Sequence, residues 1–234
     1  MISTVVQYLN DFSHLAFPFN CFGCNVALDE GEEPICNHCK EHMPLTRYWE
    51  HDDNAVEKLF WGKIQIERAA AYSFFTKGGI VQSLMHQLKY NGKIDVGLLM
   101  GRYFGEVLKD SMYDKIDLVV PVPLHASKLK KRGYNQCDFI ARGIAESMGK
   151  PYNVNCVARI RANETQTKKG IYERWINVKE LFKVVEPQFV RGKHVLLIDD
   201  VVTTGSTLEA CAGALLQVPD TRVSIATIAC PAPF

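Results

Sequence analysis

Two kinds of apolar pattern alternate along this chain: short, largely apolar runs, and apolar residues at helical spacing. Largely apolar segments of strand length cover 69–75, 116–122, 182–185, 195–198 and 222–230. Apolar residues at helical spacing cover 80–88, 96–108, 125–148 with a break at Gly133, and 208–216. Strands that alternate with amphipathic helices favour a parallel sheet with helices on its faces. We therefore predict an α/β fold.

The segment 195–208 joins a strand pattern to a helix pattern through polar residues that can bind a ligand. Four apolar residues lead into Asp199 and Asp200, and a short loop precedes the helix. The loop consists of Thr203, Thr204, Gly205, Ser206 and Thr207. Ligands of parallel sheets lie beyond the carboxyl ends of the strands, and N–H groups at a helix start favour a phosphate. Carboxylates beside such a loop indicate a sugar phosphate with a divalent cation.

A purely structural interpretation of this loop is also open. Ser206 and Glu209 have the spacing of a capping box, which would simply start the helix. However, two ionised side chains directly after a buried strand are costly unless something binds them. This cost favours the functional interpretation.

Four of the eight cysteines form the pattern C-x2-C-x11-C-x2-C, and they are Cys21, Cys24, Cys36 and Cys39. Two such knuckles have the spacing of a tetrahedral zinc site, and four thiolates leave no open position for a substrate. We therefore predict a structural Zn²⁺. The small module could bind nucleic acid, bind protein, or cap the larger domain. We expect His38 and His42 at the surface, and the other four cysteines in the core.

Composition limits the class of protein. The chain has 234 residues, 47% hydrophobic and 23% charged, which suits one moderate domain with an appendage. No apolar run approaches the length of a membrane span, and residues 1–20 lack a signal-type pattern. We expect a cytoplasmic protein without membrane insertion. We predict a zinc-binding module over 1–60 and a larger domain over 61–234.

The net charge of +1 hides an asymmetry. Residues 29–57 hold nine acidic and two basic side chains, whereas residues 126–174 hold eleven basic and four acidic ones. The two blocks could attract each other, or the basic block could meet a polyanion. Aromatic residues that could stack on bases lie within the basic block, namely Tyr134, Tyr152, Tyr172 and Trp175.

The segment 195–208 resembles the phosphoribosyl pyrophosphate (PRPP) signature of type I phosphoribosyltransferases. That fold is a parallel sheet flanked by helices, with a smaller hood over the active site. The resemblance implies that Asp199 and Asp200 accept hydrogen bonds from the ribose 2′ and 3′ hydroxyls. It implies that the 203–207 loop wraps the 5′-phosphate. It also implies a pyrophosphate-binding loop at the strand end that includes Pro123, with Lys128 and Arg132 as cations.

The polar segment 159–170 has the profile of a mobile loop over such a site, with a solvated surface loop as the alternative. We assign Arg161 in this segment a catalytic role together with Asp199 and Asp200. Arg174 and Asn177 follow closely.

The order of the motifs narrows the resemblance. The four-cysteine knuckle is followed by LKYNGK, PVPL, KRGYNQ, RIRANETQ and LLIDDVVTTGST. This order resembles the ComF family of competence proteins, over nearly the whole chain. The resemblance implies a PRPP-binding protein of DNA uptake and transformation, with single-stranded DNA and other competence proteins as partners. The alternative is an active, Mg²⁺-dependent transferase that moves ribose 5-phosphate from PRPP to an unidentified acceptor.

Overall fold

The structure, a computed structural model, describes residues 19–28, 33–160 and 181–232. Its strands are β1 Ala69–Phe75, β2 Leu118–Pro121, β3 Val157–Arg159, β4 Phe182–Val184, β5 His194–Val201 and β6 Arg222–Pro231. Its helices are α1 Asn37–Glu41, α2 Ala55–Lys58, α3 Ile80–Tyr90, α4 Ile94–Lys109, α5 Ala126–Arg132, α6 Gln136–Met148 and α7 Ser206–Leu216. Short 3₁₀ turns span Tyr48–Glu50 and Pro187–Phe189.

Four strands form a parallel sheet in the order β1-β6-β5-β2. This sheet confirms the predicted fold class. Its two edges are covered by chain segments: Phe74 donates to the carbonyl of Pro44, and Val119 to the carbonyl of Pro151. The carboxyl ends of β2 and β5 lie side by side, since Pro121 pairs with Ile198. The predicted ligand site therefore lies at the centre of the sheet edge.

Successive residues of β5 face opposite sides of the sheet, as the strand period requires. Leu196 and Ile198 pack into a core with α3, α4 and α6, whereas Val195 and Leu197 pack against α7. Both faces are buried, which explains why 195–198 of β5 appears in the sequence as a continuous apolar run.

The helices α4 and α6 approach each other closely through glycines. A Cβ atom on Gly143 would lie 2.2 Å from the carbonyl oxygen of Leu98, and one on Gly101 would lie 2.3 Å from that of Ile140. No side chain fits in either position. This contact fixes the position of α6, whose first residue reaches the sheet edge.

Several sequence-based predictions require correction. The run 182–185 was predicted to belong to the alternating strand–helix pattern, but Phe182–Val184 pairs antiparallel with Val157–Arg159 in a separate two-stranded ribbon. The strand predicted over 195–198 continues to Val201 and includes both aspartates. The break predicted at Gly133 is confirmed, because this residue ends α5 with φ of +85°.

The N-terminal part of the described chain packs on the larger domain. Cys21 and Trp49 belong to the same buried cluster as Phe104 of α4. Asn54 caps α2 and also donates to the carbonyl of Ala69, where β1 begins. The boundary between 1–60 and 61–234 stays a prediction. Among the described helices, none has the length and apolar character needed to cross a membrane.

Candidate functional site

The two aspartates at the end of β5 have different surroundings. Asp200 is 6% exposed, and its Oδ2 accepts from Lys89 Nζ at 2.7 Å and from Gln136 Nε2 at 2.8 Å. Asp199 is half-buried on the other side of the strand, where Cys137 Sγ lies 3.3 Å from its Oδ1. Asp200 is therefore held by one cation and one amide donor, whereas Asp199 has a thiol as its side-chain neighbour.

Burial, and next the charge of Asp200, raise the pKa of Asp199 to about 7. Hydrogen bonds from the Asp200 backbone N–H and from Cys137 act in the opposite direction but are weaker. A buried carboxylate of this kind is stabilised when hydroxyl groups donate to it. The position thus favours a ligand that carries hydroxyls.

The loop after β5 presents hydroxyls and the start of a helix to solvent. Thr203, Thr204 and Ser206 are exposed, and Thr207 is half-buried. Gly205 is the N-cap of α7, with φ of +78° and no side chain to cap the helix. The capping-box alternative is therefore wrong, because Ser206 is the first helical residue and not the cap. The first N–H groups of α7 are left for a bound anion.

Phe60, from the N-terminal part of the chain, packs against this loop at Gly205. The Phe60 ring, 1% exposed, would lie 3.1 Å from a Cβ atom on Gly205. Phe60 follows α2, which Asn54 and Glu57 tie to the start of β1. The loop conformation therefore depends on a segment far away in sequence.

The predicted pyrophosphate residues lie at the neighbouring strand end. Pro123 is half-buried two residues after β2, and Arg132 ends α5, where its Nη1 donates to Gln136 Oε1. Gln136 in turn donates to Asp200, so Arg132 is linked to the aspartate pair. Lys128 is exposed on the same helix, and its side chain forms no ion pair with a residue that the structure describes.

Sequence reasoning missed three residues of the site, namely Lys89, Gln136 and Cys137. A signal existed for two of them, since Lys89 belongs to LKYNGK and Gln136 to KRGYNQ. Cys137 was expected only as a buried residue, which it is, as are Cys156, Cys211 and Cys230. Its thiol contact with the aspartate has no sequence signature.

The third predicted catalytic residue, Arg161, lies outside the described residues, as do Tyr172, Arg174, Trp175 and Asn177. The described chain reaches the ribbon on either side of this segment, where Ile160 donates to the carbonyl of Leu181. Arg159 on this ribbon lies over the Phe182 ring, 5.3 Å from its centroid. Burial lowers the pKa of Arg159, and the charge of Asp199 opposes that shift.

The four cysteines of the N-terminal knuckles converge on one point. Their sulfur atoms all lie within 4.8 Å of one another, and Cys21–Cys39 and Cys24–Cys36 are both 3.7 Å apart. A tetrahedral zinc site with Zn–S distances of about 2.3 Å places its sulfurs about 3.8 Å apart. The cluster can therefore hold a zinc ion. His38 and His42 are exposed, as predicted.

Backbone N–H groups of the two knuckles favour the thiolate form of Cys21. Burial would raise the pKa of Cys21, but backbone N–H groups from both knuckles, Cys36 first, lower it to about 6. Gly23 is needed for space rather than for turn conformation, since a Cβ atom there would lie 2.8 Å from Cys39 Sγ.

The acidic and basic blocks do not neutralise each other within the described residues. Ion pairs of the acidic block are Lys40–Glu33, Arg47–Glu50 and Arg68–Asp52. Lys128, Lys130 and Lys131 form none with any residue in the described part of the chain. Within the described residues, no ion pair therefore joins the acidic block to the basic block.

Comparison with known proteins finds one matching domain family and several named relatives. The phosphoribosyl transferase domain family matches residues 140–231, which include the aspartates and the loop. The DNA utilization protein YhgH of Salmonella typhimurium is 33% identical over 138 residues, which are 57% of this chain and 60% of that protein. The chain thus covers about 60% of the length of that relative.

Two further relatives carry competence names. Competence protein F of Haemophilus influenzae is 26% identical over 204 residues, 83% of either chain. Competence protein ComFC of Bacillus subtilis is 28% identical over 145 residues, 62% of this chain and 57% of that protein. The parallel sheet and its aspartate pair agree with these matches. The chain is thus similar to competence proteins of the ComF family, and its residues 140–231 match the phosphoribosyl transferase domain family.

Proposed function

We propose that this protein binds PRPP and acts in the uptake or use of DNA. The observation that carries the proposal is the pairing of Asp199 and Asp200 with a glycine-capped loop at the carboxyl end of a central strand. Relatives named for competence and DNA utilisation support the biological context.

Each part of the site would bind one part of PRPP. The ribose hydroxyls donate to Asp199 and Asp200, and the N–H groups of the 203–207 loop bind the 5′-phosphate. Arg132 at the end of α5 contacts Gln136, and Lys89 in α3 contacts Asp200, so both cations lie near the aspartates, where they would stabilise a pyrophosphate. Mg²⁺ enters with PRPP, because it neutralises pyrophosphate oxygens.

The four-cysteine cluster supplies a structural zinc site in this proposal. Four sulfur ligands fill the tetrahedron, so the metal stabilises the knuckles and takes no part in chemistry. The knuckles pack against α3, since Ile80 at its first turn would contact a Cβ atom on Gly23 at 3.1 Å. The zinc module therefore supports a helix that carries Lys89.

The basic helix α5 supports a nucleic acid partner. Its sequence ASKLKKR contains four cations and no acidic residue. The name DNA utilization protein of one relative makes DNA the polyanion we propose, in single-stranded form, and we expect other competence proteins as partners. We place this activity in the cytoplasm.

Calorimetry with PRPP and Mg²⁺ tests the binding proposal. We expect saturable binding that weakens at least about tenfold when Asp199→Asn and Asp200→Asn are combined, since each loses a charged acceptor. Asp110→Asn, an exposed residue at the end of α4, is the matched control and should bind as the native protein does. No heat with the native protein, or equal affinity in the double variant, would refute the proposal.

Turnover is a property separate from binding. The names of the relatives refer to competence and DNA utilisation rather than to transfer, so they do not favour the alternative of an active transferase. Release of pyrophosphate from PRPP in the presence of a panel of nucleobases tests that alternative directly. Release that requires both a base and Asp199 would establish it.

A further inference from the structure

Tyr90, the last residue of α3, is unusually exposed for an aromatic side chain. Its exposed fraction is 70%. The Arg132 guanidinium lies over the ring, 5.9 Å from its centroid, and the His86 ring is 5.0 Å away and tilted by 46°. A single exposed aromatic residue needs no explanation. This one forms part of an organised cluster with a cation and a second ring.

The residues next to this cluster are basic and unpaired. Arg132 ends α5, and Lys128, Lys130 and Lys131 on the same short helix are exposed without an ion pair to any described residue. Exposed cations beside an exposed aromatic ring are the combination with which proteins bind single-stranded nucleic acid. The cations hold phosphates, and the ring stacks on a base.

The cluster also touches the aspartate site. Arg132 donates to Gln136, which donates to Asp200. Lys89, which forms an ion pair with Asp200, directly precedes Tyr90 in the chain. A base stacked on Tyr90 would therefore lie at the mouth of the site.

Two of the four aromatic residues first expected to stack, Tyr134 and Tyr152, lie in the described part of the chain, and both are less exposed than Tyr90. Tyr134 is partly buried, donates its hydroxyl to the Leu88 carbonyl and packs edge-on against Phe139, so it has a structural role. Tyr152 is 43% exposed beside the edge strand β2.

We propose that Tyr90, with Arg132 beside it, forms a stacking platform for one base of single-stranded DNA. The lysines of α5 bind the phosphates of the same strand. The proposal rests on the proposed function for its choice of DNA as the ligand, but it does not depend on PRPP binding.

Fluorescence anisotropy with a labelled oligothymidylate of about 20 nucleotides tests the proposal, since single-strand modules cover about 4–16 nucleotides. We expect Tyr90→Ala to weaken binding about tenfold. Tyr90→Phe keeps the ring and should bind within about twofold of the native protein. Tyr152→Ala is the matched control and should leave the affinity unchanged.

A strand of the same length with abasic sugars separates stacking from charge. It should bind the native protein more weakly than oligothymidylate does, and Tyr90→Ala should not weaken it further. Lys130→Gln with Lys131→Gln should lower the slope of log affinity against log salt by about 1.4. The control pair Lys109→Gln with Lys115→Gln lies away from α5, at and beyond the end of α4, and should leave the slope unchanged.

Several results would overturn the proposal, and they are distinguishable from failure of the proposed function. If Tyr90→Ala binds DNA as the native protein does, the stacking platform is wrong while DNA binding stands. If the native protein binds PRPP but no DNA, the stacking platform is wrong while the PRPP site stands. If a free nucleobase displaces DNA only when Tyr90 is present, the ring serves a small acceptor instead of a strand. Circular dichroism and thermal unfolding of Tyr90→Ala should match those of the native protein, which shows that the variant is folded.

Discussion

Asp199 and Asp200 are adjacent in sequence, yet their side chains have different partners in the fold. Asp200 is paired with Lys89 and Gln136, whereas Asp199 is half-buried beside a thiol. Without a ligand, the charge of Asp199 therefore destabilises the folded protein. A site that binds a charged or hydroxylated ligand commonly carries such a cost in its unliganded state.

Because of this cost, we expect Asp199→Asn to raise the free energy of unfolding by an amount that depends on pH. The pKa of Asp199 is about 7 in the folded protein and about 3.9 in an unfolded chain. Because the folded state binds more protons between these values, the free energy of unfolding falls as the pH rises from about 4 to 7. The Asp199→Asn variant lacks this loss, so its gain in free energy of unfolding should be about 2 to 3 kcal/mol larger at pH 8 than at pH 5.

Urea unfolding at both pH values, without PRPP or divalent cations, measures this gain. Asp110→Asn should change stability little at either pH, because Asp110 is exposed. Equal gains for Asp199→Asn at pH 5 and pH 8 would show that this carboxyl is not the titrating group.

Both the left-handed backbone conformation at position 205 and the nearby Phe60 ring require a glycine there. The φ of Gly205 is +78°, and a Cβ atom would lie 3.1 Å from the Phe60 ring. We expect Gly205→Ala to lower the free energy of unfolding by about 2 kcal/mol and to weaken PRPP binding. Gly213→Ala in the same helix meets nothing within 4 Å, so it should leave stability unchanged or raise it by up to about 1 kcal/mol. Thermal unfolding and calorimetry measure both effects.

At the scale of elements, the contact between α4 and α6 positions the site. The helix α6 brings Gln136 and Cys137 to the aspartates, and its distance from α4 is set by glycines on both helices. The spacing of Gly97, Gly101 and Gly105 is visible in the sequence, but a period of four does not reveal which helix it faces.

Gly143→Ala should therefore affect both stability and binding. Its Cβ atom would lie 2.2 Å from a backbone oxygen, which cannot move without shifting a helix. We expect a loss of about 3 kcal/mol in urea unfolding, and a lower PRPP affinity because α6 is displaced. Gly213→Ala again serves as the control. Native stability in Gly143→Ala would mean that the two helices are farther apart.

At the scale of the whole molecule, the four-cysteine knuckles are part of the main core. Cys21 and Cys39 are buried in the same cluster as Trp49 and Phe104. The stability of the larger domain is therefore coupled to the knuckles, even though the two segments were predicted to be separate modules.

Metal removal tests this coupling. We expect about one zinc per chain, and we expect a chelator to lower the Tm, with recovery on adding Zn²⁺ but not Mg²⁺. Cys24→Ser should lose the metal, whereas Cys230→Ala, a buried cysteine outside the cluster, should retain it. An unchanged Tm after complete zinc loss would contradict the coupling.

The predictions from sequence differ in success for physical reasons. The strand over 69–75 and the helix break at Gly133 were predicted because period and glycine conformation are local. The extension of β5 through Asp199 and Asp200 was missed, because carboxylates are rare in strands and only pairing with β6 keeps them there. The ribbon of β3 and β4 was missed because its strands have only three residues each.

The sequence by itself determined the alternation of strands and helices, the aspartate pair before a phosphate-type loop, and the spacing of the four cysteines. These features depend on residues close together in the chain. Only the tertiary structure decided the partners: Asp200 meets Gln136, 64 residues away, Gly205 rests on Phe60, and Tyr90 meets Arg132. The reason is that a parallel sheet brings the ends of distant strands to one edge, and local pattern carries no record of which residues meet there.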